Sequence, residues 1–218
     1  RHLFNRATLG DVADPRQGLA TADDFRFVRL WWEIAPQTIG SNRDDTLHGR
    51  GWASFAKGGS YSPYYYDIHL LVDWANEGAA IKSFIKPDGR QASRPQSIQY
   101  YFRPGLTWPL RTQKGLSVRA MPAGCIFGHK GPSIFVADDD EEKLLALLAV
   151  TNSATFPYLV ELQMAFGSYE VGVIQRPPIP PLDEAATAAL AALARAAHDT
   201  QRANHVHDET SHVFTRPA

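Results

Sequence analysis

The amino-acid sequence predicts an α+β fold: a mixed, mostly antiparallel β-sheet domain over residues 1–182, followed by an Ala-rich helix and polar tail over residues 183–218. Three observations carry this expectation. Across residues 97–136, short runs rich in β-branched and aromatic residues alternate with turn-forming Gly and Pro, the pattern of several short strands with tight connections. Residues 141–164 then place apolar residues at helical spacing. Beyond them, Arg176-Pro177-Pro178-Ile179-Pro180-Pro181 can be neither a helix nor a central strand, because proline has no amide hydrogen to donate. Alanine dominates after that connector. No repeat with a period of roughly 20–50 residues is visible, which excludes a solenoid or propeller.

Taken in order, Phe25 to Ile34 mixes bulky apolar residues with Arg26, Arg29 and Glu33 in partial alternation, predicting a strand that Pro36 ends. The polar stretch Gln37 to Gly51 reads as a loop. Trp52 to Ala56 and Tyr65 to Trp74 read as strands on either side of Lys57-Gly58-Gly59-Ser60, a hairpin-like signal. That turn lets the backbone approach something closely. It lacks the G-x-x-x-x-G-K-[ST] spacing of a nucleotide loop, so a plain turn is the simpler reading. Asn76 to Phe84 predicts a short helix, and Pro87-Asp88-Gly89 a turn. Leu144, Leu145, Leu148, Leu159 and Leu162 mark two helices, or one broken near Pro157. Tyr169 to Ile174 reads as a last short strand. Asp183 is placed to cap a helix running to about Arg202, and the tail beyond it is polar and histidine-rich.

A hydrophobic share of 44% and a charged share of 21% are those of an ordinary globular protein. No run of about 18 apolar residues exists, so no membrane-spanning helix is expected. The first residues, from Arg1, lack the layout of a signal peptide, and the chain reads as an excised piece. With a single cysteine, Cys125, no internal disulfide can form, and its Gly124/Ile126 flanks suit a small buried hydrophobe better than a catalytic thiol. A cytoplasmic location is expected.

The net charge of −1 hides an asymmetry. From Gly89 to Ala137 there is no Asp or Glu, while Arg90, Arg94, Arg103, Arg111, Lys114, Arg119 and Lys130 all fall within it. Acid returns in Asp138-Asp139-Asp140-Glu141-Glu142, whose place before an apolar helix suits that helix's N-terminus. An acid-free basic segment in a near-neutral chain is the footprint expected of a nucleic-acid surface, the plain alternative being a solvated face. Gln96, Gln99, Thr112 and Gln113 add side chains suited to base edges and phosphates. Tyr100, Tyr101, Phe102 and Trp108 read by default as core. The candidate nucleic-acid-binding set, DNA-binding if the resemblance described below holds, is Lys57, Arg90, Arg94, Arg103, Arg111, Lys114 and Arg119. His205, His207 and His212 have metal-ligand letters but no Cys and no apolar frame, so they read as a disordered tail. Asp88 with Glu141-Glu142-Lys143 spells a nuclease-like pattern, which all the intervening strands separate.

Residues 18–34 (GLATADDFRFVRLWWEI), 52–84 (WASFAKGGSYSPYYYDIHLLVDWANEGAAIKSF) and 100–135 (YYFRPGLTWPLRTQKGLSVRAMPAGCIFGHKGPSIF), followed by EVGVIQRPPIPPLDE at 170–184, occur in an order with a family likeness. Together they resemble the target-recognition region of large single-chain adenine-specific DNA methyltransferases of the phage-defence (BREX, phage-growth-limitation) type and of the related type IIG restriction-modification enzymes. The junction at Ile179-Pro180-Pro181-Leu182 is also similar to the one that leads into the spacer helix of type I specificity subunits. The resemblance implies a target-recognition domain with a spacer-like C-terminal helix, bound to double-stranded DNA. It also implies an upstream methyltransferase domain in the same parent chain, where S-adenosylmethionine would donate a methyl group to N6 of a flipped adenine. No N-P-P-Y or D-P-P-Y tetrapeptide and no glycine-rich cofactor motif is present here, so no cofactor and no methyl transfer are expected of this fragment alone. Relatives commonly follow the Lys-Gly-Gly turn with a charged residue and Trp-Tyr-Gly, where this chain has Ser62-Pro63-Tyr64-Tyr65-Tyr66. A protein-interaction or specificity-subunit fragment and, behind it, a nuclease domain are the alternatives.

Overall fold

The computed structural model describes residues 6–164 and 167–216. The reading of the first five residues for a leader therefore lies outside the described residues. Along the chain run α1 (Leu9–Val12), β1 (Asp14–Arg16), α2 (Asp24–Phe27), β2 (Val28–Leu30), β3 (Ile39–Gly40), α3 (Arg43–Leu47), β4 (Trp52–Ala56), β5 (Leu70–Asp73) and α4 (Ala75–Lys82). They are followed by β6 (Gly105–Thr107), β7 (Arg119–Met121), β8 (Cys125–Phe127), β9 (Ser133–Phe135), α5 (Glu141–Thr151), α6 (Thr155–Glu161), α7 (Val171–Ile174) and α8 (Glu184–Ala203). The fold is α+β, with mostly antiparallel sheets and a C-terminal helix.

One sheet orders its strands β1-β9-β6-β7, antiparallel throughout. The other orders β2-β5-β4-β3, with β8 also on β4; β3 and β8 lie parallel to β4, and β2 and β4 antiparallel to β5. The Trp52–Ala56 strand and its antiparallel return are thus formed as expected, in the register Trp52↔Asp73. Each sheet carries its own apolar cluster. Leu106, Trp108, Val118 and Ile134 meet Leu144, Leu148, Ala191 and Ala194 from α5 and α8. On the second sheet, Phe55, Val72, Trp74, Ile126 and Phe127 close over one another, with Tyr101 edge-on to Trp74 and Phe127. Cys125 is buried in that second cluster, which pushes its thiol up to about 12 and leaves it an inert hydrophobe, as its flanks suggest.

The two longest helices start where the sequence supplies a carboxylate. Asp140 accepts from the Lys143 amide at 3.0 Å at the head of α5, and Asp183 from the Ala186 amide at 2.8 Å at the head of α8. The break between α5 and α6 falls at residues 152–154, just before Pro157.

Five local expectations are corrected. Gln37 to Gly51, read as a loop, holds β3 and α3, the latter started by the Asn42 side chain, which accepts from the Asp45 amide at 2.8 Å. Phe25 to Ile34 is strand only at Val28–Leu30: the Asp23 side chain accepts from the Arg26 amide at 3.0 Å and starts a helical turn. Glu33 accepts the Leu30 amide at 2.7 Å and folds Trp31–Glu33 into a 3-10 turn. The strand read over Tyr65 to Trp74 shrinks to β5, because Tyr64 sits at φ +69° and the Ser62 hydroxyl donates to the Tyr65 carbonyl at 2.6 Å. Tyr169 to Ile174 is not a strand: the amides of Val173 and Ile174 both bond to the Glu170 carbonyl, closing one helical turn that sinks Ile174 into the core. The tail is not a loose appendage. Trp31 Nε1 donates to the Thr210 carbonyl at 3.0 Å, His212 Nδ1 lies 3.0 Å from Asp67, and Ser211 is buried.

Candidate nucleic-acid interface

The site begins at the end of β4, where Lys57-Gly58-Gly59-Ser60 turns the chain. Gly58 and Gly59 stand at φ +92° and +112°, a backbone that costs glycine little and other residues much. A Cβ on Gly58 would strike the Lys130 carbonyl, and one on Gly59 would lie 2.7 Å from the Tyr66 ring. The backbone does approach something closely here, and that something is its own chain.

Arg119, on β7, explains the turn's rigidity and is the clearest correction to the predicted DNA-facing set. It is only 2% exposed. Its guanidinium donates to the carbonyls of Ser60 (2.8 Å) and Gly58 and lies 4.6 Å from the centroid of the Tyr66 ring. Burial lowers its pKa to about 10, so the group is still charged near neutrality, with carbonyls and a ring face as its counter-charge. It braces the turn from beneath.

Two more of the seven are absorbed by the fold. Lys57 closes on Asp24. Burial pushes the Asp24 carboxyl up, but hydrogen bonds from Lys57 and Thr21 and the charges of Lys57 and Lys130 outweigh it and hold the group below its usual range. Arg103 lies 2.7 Å from Asp139, donates to the Val136 carbonyl at 2.9 Å and stacks on Tyr100. The acid that follows the acid-free stretch has folded back to neutralise part of it.

The remaining four reach solvent. Arg90 is clamped to its own turn by Asp88 at 2.7 Å but is 82% exposed. Arg111 is exposed and donates from Nε to Ser168 Oγ at 2.6 Å. Arg94 and Lys114 are exposed and make no ion pair among the described residues.

Backbone bonds stitch several basic segments together. Arg94 and Ala20 exchange a pair of bonds at 2.8 and 3.0 Å. Next to Ala20, the Leu19 carbonyl accepts the His129 amide at 2.8 Å. Gly128 donates to the Ala56 carbonyl at 2.8 Å beside Lys57, and Leu110 donates to the Lys130 carbonyl at 2.9 Å beside Arg111. Arg94, Lys130, Lys57 and Arg111 therefore hang from adjoining backbone. Lys130, exposed, was counted in the charge of the segment but left out of the candidate set. Arg26 and Arg29, hidden in what reads as an alternating strand, also lie close by, two and five residues past the Asp24 that holds Lys57. A backbone contact reveals Lys130, and the Lys57–Asp24 ion pair reveals the two arginines.

Elsewhere, a cleft of about 610 Å³ opens between the sheets and α8, lined by Tyr65, Tyr66, Met121, Arg195, His198 and Arg202. Burial, reinforced by the Asp67 charge, pushes the Tyr65 hydroxyl up to about 12. No group of three or more His, Cys, Asp or Glu converges as a metal site among the described residues. Asp88 and Glu141, the two letters of the nuclease-like pattern, are engaged by Arg90 and by Arg195 at 2.9 Å. The strand-to-helix turns after β5 and β9 carry Trp74 and Asp138–Asp140 where a cofactor cradle would need a run of glycines. No single helix among the described residues is long and apolar enough to cross a membrane.

No family model matches the chain. It is 29% identical over 179 residues to the adenine-specific methyltransferase PglX of Lacticaseibacillus casei (strain Zhang), an alignment covering 81% of this chain and 15% of that protein. It is 25% identical over 193 residues to the adenine-specific methyltransferase BrxX of Escherichia coli O9:H4 (strain HS), covering 87% of this chain and 14% of that one. The chain thus spans a small part of the length of these relatives. It is related in sequence to adenine-specific methyltransferases of the BREX type.

Proposed function

We propose that this relative of adenine-specific methyltransferases is a sequence-specific reader of double-stranded DNA within a larger N6-adenine methyltransferase of phage-defence or restriction-modification type. Methyl transfer from S-adenosylmethionine would be carried by an upstream domain of the same parent chain, in the cytoplasm. The observation that carries the reading is the stitched basic edge: Arg94, Lys130 and Arg111 are exposed on backbone segments bonded to one another, in a stretch without a single carboxylate. Lys57, Arg103 and Arg119 are engaged inside the fold, so the reading rests on the side chains left in solvent. Exposed cations on a fixed backbone can neutralise phosphates without first breaking internal ion pairs, and an exposed arginine can bridge O6 and N7 of a guanine.

The test is binding of the 218-residue chain to a pool of random duplexes at several salt concentrations. A reader recovers one motif and shows an affinity that falls steeply with salt. Lys114→Ala and Lys130→Ala are each expected to lower the salt slope by about 1 without changing the motif, and Arg94→Ala or Arg111→Ala to relax one position of it. Recovery of no motif, or a salt slope near zero, overturns the reading.

A further inference from the structure

Phe25 is 92% exposed, more than any other large apolar side chain among the described residues. A single exposed apolar residue on a mobile loop would mean nothing. This one stands on a backbone held from several sides. The Asp23 carboxylate accepts from the Arg26 amide at 3.0 Å, and the Asp23 carbonyl from the Phe27 amide at 3.1 Å. Arg29 Nη1 donates to the Phe25 carbonyl itself at 2.6 Å. Asp24 is tied to Lys57 and, at 2.5 Å, to the Thr21 hydroxyl. Phe27 is only 1% exposed and anchors the turn in the core, with Arg26 stacked over it and over Phe84. The fold thus fixes the base of a ring it leaves in water.

The surroundings indicate what the ring meets. Arg26 and Arg29 follow it on the same stretch of chain, the charge of Lys130 reaches the neighbouring Asp24, which Lys57 pairs, and Arg94 is bonded by its backbone to Ala20, five residues back. An apolar partner surface would gain nothing from these cations, whereas a duplex offers phosphates to them and a stacking face to the Phe25 ring.

We infer that Phe25 is a wedge that enters a base step of bound double-stranded DNA, unstacking it and bending the duplex while the exposed Arg26 and Lys130 hold the flanking phosphates. The inference rests on the DNA-reader proposal. Side chains used this way kink duplexes by roughly 20–90°.

The experiment takes a duplex recovered from the random pool, end-labelled for energy transfer and carrying 2-aminopurine at successive positions. Wild-type chain is expected to shorten the end-to-end distance and to raise 2-aminopurine emission at one step. Phe25→Ala is expected to lose both signals and to bind about 5- to 100-fold more weakly, with an unchanged melting midpoint because the side chain is outside the core. Phe25→Leu and Phe25→Trp should keep the bend. If wild type binds its motif but leaves the duplex straight and stacked, or if Phe25→Ala bends it equally, the wedge is wrong and the reader stands. If wild type recovers no duplex, the reader proposal fails and takes the wedge with it.

Discussion

Arg119 and Arg94 show how differently two arginines of one basic stretch are used. Arg119 sits in β7 facing inward, and its guanidinium is the only partner seen for the Gly58 and Ser60 carbonyls among the described residues. Truncating it takes the donor from two carbonyls of the turn and leaves a void against the Tyr66 ring. Arg119→Ala is therefore expected to destabilise the chain by about 2–4 kcal/mol in urea unfolding, and DNA binding should fall with the fraction folded, not at one position of the motif. Arg119→Lys, a single compact donor in place of a fork, should recover only part of that loss. Equal stability of Arg119→Ala and wild type would show that the turn does not depend on the brace. Arg94, by contrast, contributes to the fold through its backbone, so its side chain is free to be tested for binding alone.

At the scale of elements, α8 was the most legible and the Phe25 to Ile34 segment the least. An N-cap carboxylate, acid in the first turn and an alanine-rich run all point the same way, and α8 begins at Glu184 behind Asp183. Asp183→Ala removes the acceptor of the Ala186 amide and is expected to cost about 1 kcal/mol, read as a shift of the chemical-denaturation midpoint at unchanged slope. A changed slope, or no shift, would mean that packing of Ala191 and Ala194 under α5 sets the start of the helix instead of its cap. Phe25 to Ile34 misled because bulky apolar residues in partial alternation satisfy a strand pattern, while one aspartate bonded to the amide three residues on is enough to start a helical turn. That residues 97–136 form several short strands was legible from turn residues. Their partners were not, since β8 leaves the sheet of β6, β7 and β9 to lie parallel to β4.

On the scale of the whole molecule, the docked tail ties the C-terminal residues back to the first half of the described chain. His212 rests on Asp67 and stacks on Trp31 at 4.6 Å between ring centroids, and Trp31 also bonds Thr210. Burial pushes the Asp67 carboxyl up, but His212 and Tyr65, through hydrogen bonds and the charge of His212, outweigh it and leave the group below the usual value of 3.8. A carboxylate depressed in the folded state stabilises above its unfolded pKa, and that contribution is lost as pH falls through the folded one. Trp31 emission should accordingly be constant as pH falls to about 4 as far as Asp67 is concerned, and change below that as the tail lets go. Asp67→Asn should give the released signal already at neutral pH. A Trp31 signal unaffected by Asp67→Asn would place the hold on the tail elsewhere.

From composition, turn residues and periodicity alone, the chain's class, its capped C-terminal helix, its buried cysteine and its acid-free basic stretch were all readable, because each depends on neighbours in sequence. Which cations meet solvent was decided only by tertiary structure. A charge run says where carboxylates are missing along the chain, but Asp24, Asp139 and the Gly58 and Ser60 carbonyls reach Lys57, Arg103 and Arg119 through space, and burial of a guanidinium is invisible until the strand that carries it has a sheet to face.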